Sequence, residues 1–164
     1  MKHEEYISGI DAQLEWIAQA KEMLRDEAKE GVDSYWAHHF KANEGLDLWK
    51  RSTLGARVKK GAGRDFYIQW YWNQWYKDKR GNKHPLSQHI RKGKGFSYPE
   101  ATLKRYAKEW EMDLVMSLEG DFAEIRKQAR ELKLAEQALR RLRAVVQDTA
   151  SPDNANDTEA EAEE

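Results

Sequence analysis

The sequence predicts an α+β protein: N-terminal helices, a small central antiparallel sheet of about three strands, a long C-terminal helix and a disordered acidic tail. Three observations carry that expectation. Apolar residues recur at helical spacing toward both ends of the 164-residue chain. The period changes near Arg57, where the turn signal Gly61-Ala62-Gly63 leads into the aromatic run Phe66 to Tyr76. Ser151 to Glu164 holds acids and small residues with no bulky apolar side chain, a composition that does not fold by itself. The domain expectation is one folded unit over 1–148, made of a helical part at 8–45, a basic β-ribbon at 55–95 and a long helix at 98–147. The tail occupies 149–164.

The first helix is expected over 8–30. Ser8 and Asp11 form a capping-box-like start, with Asp in place of the usual Glu. Ile10, Leu14, Ile17 and Leu24 mark one face. Gly31 is placed to stop it. A second short helix is expected over 33–44, with Asp33 as cap and Gly45 as stop. It carries Tyr35, Trp36, Phe40 and the pair His38-His39. Adjacent residues point about 100° apart on a helix, so these two histidines cannot face one metal as an i, i+4 pair would, and no metal is expected.

Bulky flat side chains favour a strand for Phe66 to Tyr76. Phe66, Ile68, Trp70, Trp72 and Gln74 then share the face expected to be core. Tyr67, Gln69, Tyr71, Asn73 and Trp75 share the wet one. At least two of Trp70, Trp72 and Trp75 are expected inside. Asp78 to Asn82 reads as a hairpin turn in which Gly81-Asn82 takes positive φ. Leu86 to Arg91 reads as the return strand, Lys92 to Gly95 as another turn, and Arg57 to Lys60 as the third strand. Ser97 and Glu100 form a capping box, and Pro99 suits a first helical turn. From there a long helical pattern places Leu118, Ile125, Leu132, Leu139 and Val146 every seventh residue. Two packings fit that column: antiparallel on the first helix, or a homodimer seam through the C-terminal helix.

Charge is segregated. Residues 50–108 hold sixteen Lys and Arg against three acids (Asp65, Asp78, Glu100), a local +13 in a chain of net charge −1. Residues 1–47 carry −6, residues 109–147 carry −1 and residues 148–164 carry −7. So concentrated a basic stretch points to a polyanion, DNA or RNA. Lys and Arg neutralise phosphates and release counterions, Gly-rich basic turns let backbone N–H groups approach phosphate, and a β-ribbon fits a DNA major groove. The expected DNA-binding residues are Arg57, Lys59, Lys60, Arg64, Gln69, Asn73, Lys77, Lys79, Arg80, Lys83, Gln88, Arg91, Lys92, Lys94, Lys104 and Arg105. Among them Arg57, Arg64, Gln69, Asn73 and Gln88 are the candidate base readers, since Arg suits guanine and Asn or Gln suits adenine. Wet-face Tyr or Trp could instead stack on single-stranded bases. A third alternative is a helical adaptor whose patch meets an acidic protein partner. The acidic tail reads either as a solubilising end or as a competitor for the basic patch.

Catalysis is not expected: the sequence has no Walker A, G-x-S-x-G or H-E-x-x-H motif and no cysteine. No cofactor is implied. Absent cysteine, no membrane-length apolar run and no signal-like N-terminus suggest a cytoplasmic location without a membrane partner.

Several stretches resemble the MobI-type mobilisation proteins of integrative conjugative elements and conjugative plasmids. They are Leu54-Gly55-Ala56-Arg57-Val58, Ser87 to Pro99, Ala107-Lys108-Glu109-Trp110-Glu111 and Ile125 to Arg130. The similarity runs over about residues 50–135. It implies an accessory factor that binds at an origin of transfer and helps to load or activate a relaxase at the nick site; taken with the basic ribbon, the expected partner there is double-stranded DNA. It implies no particular site residues.

Overall fold

The computed structural model describes residues 2–150; the expected tail of 149–164 lies outside them except for residues 149 and 150, which are helical. The element order is α1 (Lys2–Asn43), β1 (Leu54–Lys60), β2 (Phe66–Lys77), β3 (Lys83–His89), α2 (Glu100–Leu103) and α3 (Met112–Ala150), with single 3-10 turns at Leu48–Lys50 and Glu109–Glu111. Helices flank one three-stranded antiparallel sheet of order β1-β2-β3, the α+β arrangement expected. Among the described residues, 2–20 and 131–150 form one compact unit, and residues 21–130 another.

The unit of 21–130 contains the sheet. Its core is built on the inner face of β2, where Ile68 and Trp70 are buried. The Trp70 ring meets Tyr35 of α1 edge-on at 5.2 Å and Phe122 of α3 at 5.9 Å. Leu54, Ala56, Ile90, Tyr98, Leu103 and Val115 are buried with them, as are Ala28 and Val32 of α1 and Ile125 of α3. Of the three tryptophans considered for the core only Trp70 is fully buried; Trp72 is half-buried on Tyr106, and Trp75 is 63 % exposed. The reason is stagger. β1 pairs with residues 66–72 of β2, whereas β3 pairs with residues 71–77. Only the rungs at Tyr71 and Trp72 are three strands wide, and Trp75 lies beyond them. The return strand accordingly starts at Lys83 and ends at His89, and β1 begins at Leu54 rather than Arg57.

Two helix boundaries also differ from expectation. α1 runs unbroken through Gly31 and Asp33. Gly31 is not a stop: a Cβ there would sit 2.8 Å from Phe122 Cε1, so the missing side chain lets the Phe122 ring approach the α1 backbone. That close packing outweighs the roughly 1 kcal/mol of helix propensity that Gly forfeits. The long C-terminal helix starts at Met112, not at 98. Ser97 makes no cap; α2 opens at Pro99 and is four residues long. The chain is extended at Lys108, whose amide donates to Glu111 Oε1 at 2.8 Å. Glu111 is held inside by further bonds from Ser52 Oγ and from Tyr35, whose hydroxyl lies 3.2 Å from Oε2. A carboxylate anchored this way fixes a new helix start and breaks the old one.

A second buried carboxylate ties sheet to helix. Glu119 accepts from Trp70 Nε1 at 2.7 Å, from the Tyr98 amide at 2.7 Å and from Arg126 Nη1 at 2.8 Å. Arg126 also donates to the carbonyls of Ile68 and Phe96. Each lone pair and N–H in this group has a partner, the condition under which a buried ion pair is tolerated. His39 is buried between Tyr35 and Asn43, and burial, then the neighbouring His38, pushes its pKa down.

In the other unit, Ile10 and Ile17 of α1 are buried, and Arg143 of α3 bonds Asp11 of α1 at 2.7 Å. Leu132, Leu139 and Val146 are half-buried there, whereas Leu134, Leu142 and Val145 are exposed. The heptad column is therefore the partly covered side of α3 within this unit, and another stripe faces out. No helix among the described residues is long and apolar enough to cross a membrane.

Candidate nucleic-acid interface

Strand alternation assigns the outer face of the sheet. Inner-face Ile68, Trp70 and Trp72 point toward the helices. Arg57, Lys59, Tyr67, Gln69, Tyr71, Asn73 and Lys77 therefore point away, with Lys83, Ser87 and His89 beside them on β3. At the centre, Tyr71 lies across Gly55 of the neighbouring strand. A Cβ on Gly55 would meet the ring at 2.5 Å, so only glycine allows this contact. The Arg57 guanidinium sits 4.8 Å from the centre of the same ring, and its Nε donates to Gln69 Oε1 at 3.2 Å. His89, directly opposite Tyr71 on β3, has its pKa pushed down by burial first, then by the positive charges of Arg57, Lys59 and Arg91. The outer face thus carries a positive field.

Beyond Trp72, β2 and β3 continue as a two-stranded arm. Five rungs, from Asn73↔Ser87 to Lys77↔Lys83, give it a length of about 17 Å. Gln74, Trp75, Tyr76 and Lys77 are all exposed, as are Pro85, Leu86, Ser87 and Gln88, so both faces of the arm meet solvent. Its turn is self-built. Asp78 Oδ1 accepts the amides of Arg80 and Asn82 at 2.8 and 2.9 Å, and His84 Nε2 lies 2.9 Å from Oδ2. These bonds, His84 first, hold the Asp78 carboxyl below the usual carboxylate range. Gly81 alone of the pair Gly81-Asn82 takes positive φ, 84°, because a residue without a Cβ adopts the left-handed conformation at no steric cost; Asn82 does not take it as expected. Lys77, Lys79, Arg80 and Lys83 surround that turn, all exposed. Lys77 and Lys83 are direct cross-strand partners, a like-charge pairing that costs stability. Lys83 and Pro85 also blunt the free edge of β3 against pairing with another strand.

The expected site residues divide into groups. Arg57, Lys59, Gln69, Asn73, Lys77 and Lys83 share the outer face, and Lys79 and Arg80 extend it at the tip. Lys60 and Gln88 belong to the opposite face, where Gln88 donates to Gln74 at 2.9 Å. Arg64, in the β1–β2 turn, is ion-paired with Glu22 at 2.7 Å. Arg91, Lys92 and Lys94 occupy the loop after β3. Lys92 donates to the Gly95 carbonyl, and burial and then Arg126 pull its pKa down. Lys104 and Arg105 are exposed just past α2, next to Tyr106, which packs on inner-face Trp72. Of the five candidate base readers, Arg57, Gln69 and Asn73 stand on one surface; Arg64 and Gln88 stand elsewhere. The aromatic residues Trp36 and Phe40 of α1, which adjoin this surface beyond the β1 edge without belonging to it, were not legible from the sequence. Trp36 Nε1 donates to the Ala56 carbonyl at 2.9 Å, its ring centre is 6.5 Å from that of Tyr71, and it stacks on Phe40 at 5.3 Å. The one sequence signal was Gly55, since an isolated glycine in a strand marks a close approach.

The fold and this surface define a class: a helix-backed three-stranded sheet whose outer face and projecting arm are cationic and aromatic, with no metal-binding cluster among the described residues. The family model of the MobI protein matches residues 24–140, more than half of the chain and all of the sheet. The chain belongs to that family and has a mobilisation-related role. No curated protein and no solved structure matches it.

Proposed function

We propose that the protein is a non-enzymatic accessory factor of conjugative mobilisation that binds origin-of-transfer duplex DNA through the outer sheet face and the β2–β3 arm. It assists recruitment of the relaxase there, and it works in the cytoplasm. The observation that carries this reading is the arm itself. It projects two strands wide with four cations around its turn, and the one carboxylate present, Asp78, is engaged by the turn's own N–H groups. An arm of two strands has the width a major groove admits. In such a complex the tip cations contact phosphates, and Arg57, Gln69 and Asn73 face base edges. The family contributes mobilisation; the charge distribution contributes DNA.

Fluorescence anisotropy with labelled duplex tests the reading. Arg57→Ala or Gln69→Ala is expected to cost about 1–3 kcal/mol on the cognate duplex and to relax sequence preference. Replacing Lys79 and Arg80 is expected to weaken all duplexes alike. Equal losses on every sequence for Arg57→Ala would remove it from base reading, and absence of duplex binding at low salt would end the proposal.

A further inference from the structure

Arg57 differs from the arginines that ion pairs hold in place. Arg64, Arg126 and Arg143 are each fixed by a carboxylate, from Glu22, Glu119 and Asp11. Arg57 is fixed by two neutral groups, the Gln69 amide and the Tyr71 ring. Its guanidinium is therefore held in place with no carboxylate partner among the described residues. It also ends a row of flat groups. Phe40 stacks on Trp36 with planes 27° apart, Trp36 tilts against Tyr71, and Tyr71 carries Arg57. The row runs from the C-terminal part of α1 past the edge strand β1 and onto the outer face. It is anchored by the Trp36 bond to the Ala56 carbonyl and by the space Gly55 leaves for Tyr71. Its outermost ring, Phe40, is 66 % exposed, although the core has no use for a phenylalanine facing water.

Base pairs inside a duplex present edges, whereas unpaired bases present faces. Aromatic rings and guanidinium planes accept those faces whatever the sequence. We propose that the row Phe40–Trp36–Tyr71–Arg57 is a track for an unpaired DNA strand, so that the preferred substrate is duplex on the arm continued by single strand along the row. The inference rests on the DNA-binding reading above and narrows its substrate to a duplex with an adjoining unpaired segment. Arg57 serves both parts: its N–H groups face the duplex base edges and its free planar face takes the first unpaired base.

The test compares three probes with the full chain: a plain duplex, the same duplex carrying an unpaired oligo(dT) tail, and oligo(dT) alone. The tailed duplex is expected to bind at least about fivefold more tightly than the plain one, the gain of one stacked base. Phe40→Ala is expected to abolish most of that gain and to leave plain-duplex affinity as it was. Phe40→Tyr, which keeps the ring, is expected to restore it, and circular dichroism checks that both variants are folded. Equal affinity of the wild-type chain for tailed and plain duplexes overturns the track while the duplex reading stands. Equal weakening of both probes by Phe40→Ala overturns it too. Failure of every probe to bind overturns the underlying reading instead.

Discussion

The Gly55–Tyr71 contact offers a sharp check on how the outer face is built. A methyl group at position 55 would lie 2.5 Å from Tyr71 Cζ, 2.8 Å from Cε2 and 2.9 Å from the hydroxyl. The ring can escape only by leaving Arg57, 4.8 Å from its centre, and Trp36, 6.5 Å away. Losing a cation–π contact and an aromatic pair costs roughly 1 to 2.5 kcal/mol together. Against this, alanine in a strand is better than glycine by about 0.5–1 kcal/mol. Gly55→Ala is thus expected to destabilise the wild-type chain by up to about 2 kcal/mol, yet to stabilise a Tyr71→Ala chain by about 0.5–1 kcal/mol. The coupling energy of the double-mutant cycle is then roughly 1–2.5 kcal/mol. Urea unfolding midpoints at unchanged slope measure all four corners. An identical effect of Gly55→Ala in both backgrounds would show that the ring does not rest on the glycine.

Other consequences follow from the same geometry. Glu119→Ala leaves Arg126, Trp70 Nε1 and the Tyr98 amide without their shared acceptor, and is expected to cost about 3–5 kcal/mol in chemical denaturation; a cost below 1 kcal/mol would mean the cluster is not formed. His39 has a folded pKa below its unfolded value of 6.5, so the stability it contributes is present above that value and is lost as pH falls through the folded pKa. Glu111, raised by burial, acts with the opposite sign, its contribution being lost as pH rises above 4.5 through the folded value. His39→Gln should therefore reduce the acid-side loss of stability without removing the part due to His89, and an unchanged pH profile would contradict the buried neutral imidazole. Self-association through α3 would use the exposed Leu134, Leu142 and Val145; on that basis Leu142→Lys lowers the sedimenting mass, whereas Leu132→Lys chiefly lowers stability. A mass unaffected by Leu142→Lys rejects that seam.

Much of the fold could be read from local pattern. The two faces of β2 followed from alternation, and the turn at Asp78 to Asn82 followed from its Asp and Gly. What local pattern could not supply was long-range. Gly31 reads as a helix stop until Phe122, ninety-one positions later, is brought against it. Ser97 and Glu100 make a capping box on paper. The structure ends that helix within four residues because Glu111 is drawn inside by Ser52 and Tyr35. The stagger of β1 and β3 along β2 is likewise a matter of register, which composition does not encode, and it is the stagger that leaves Trp75 exposed and creates the arm. For the candidate interface, the sequence indicated the sign of the charge and the residue types. It did not separate Arg57, Gln69 and Asn73 from Arg64 and Gln88, because that separation depends on which face each residue takes and on the Glu22 partner of Arg64. Nor did it join Trp36 and Phe40 to Tyr71, which are thirty or more residues apart along the chain.

The most direct measurement of DNA binding by the arm is the salt dependence of duplex affinity for the wild-type chain and for a variant with Lys77, Lys79, Arg80 and Lys83 all changed to Gln. If these four side chains contact phosphates, the slope of log affinity against log salt is shallower in the variant by up to about 3.6, or about 0.9 for each contact. Stability should stay the same or rise slightly, because all four are exposed and the Lys77–Lys83 repulsion is removed. Parallel slopes for the two proteins, with the variant still folded, would contradict the arm as the DNA-binding element.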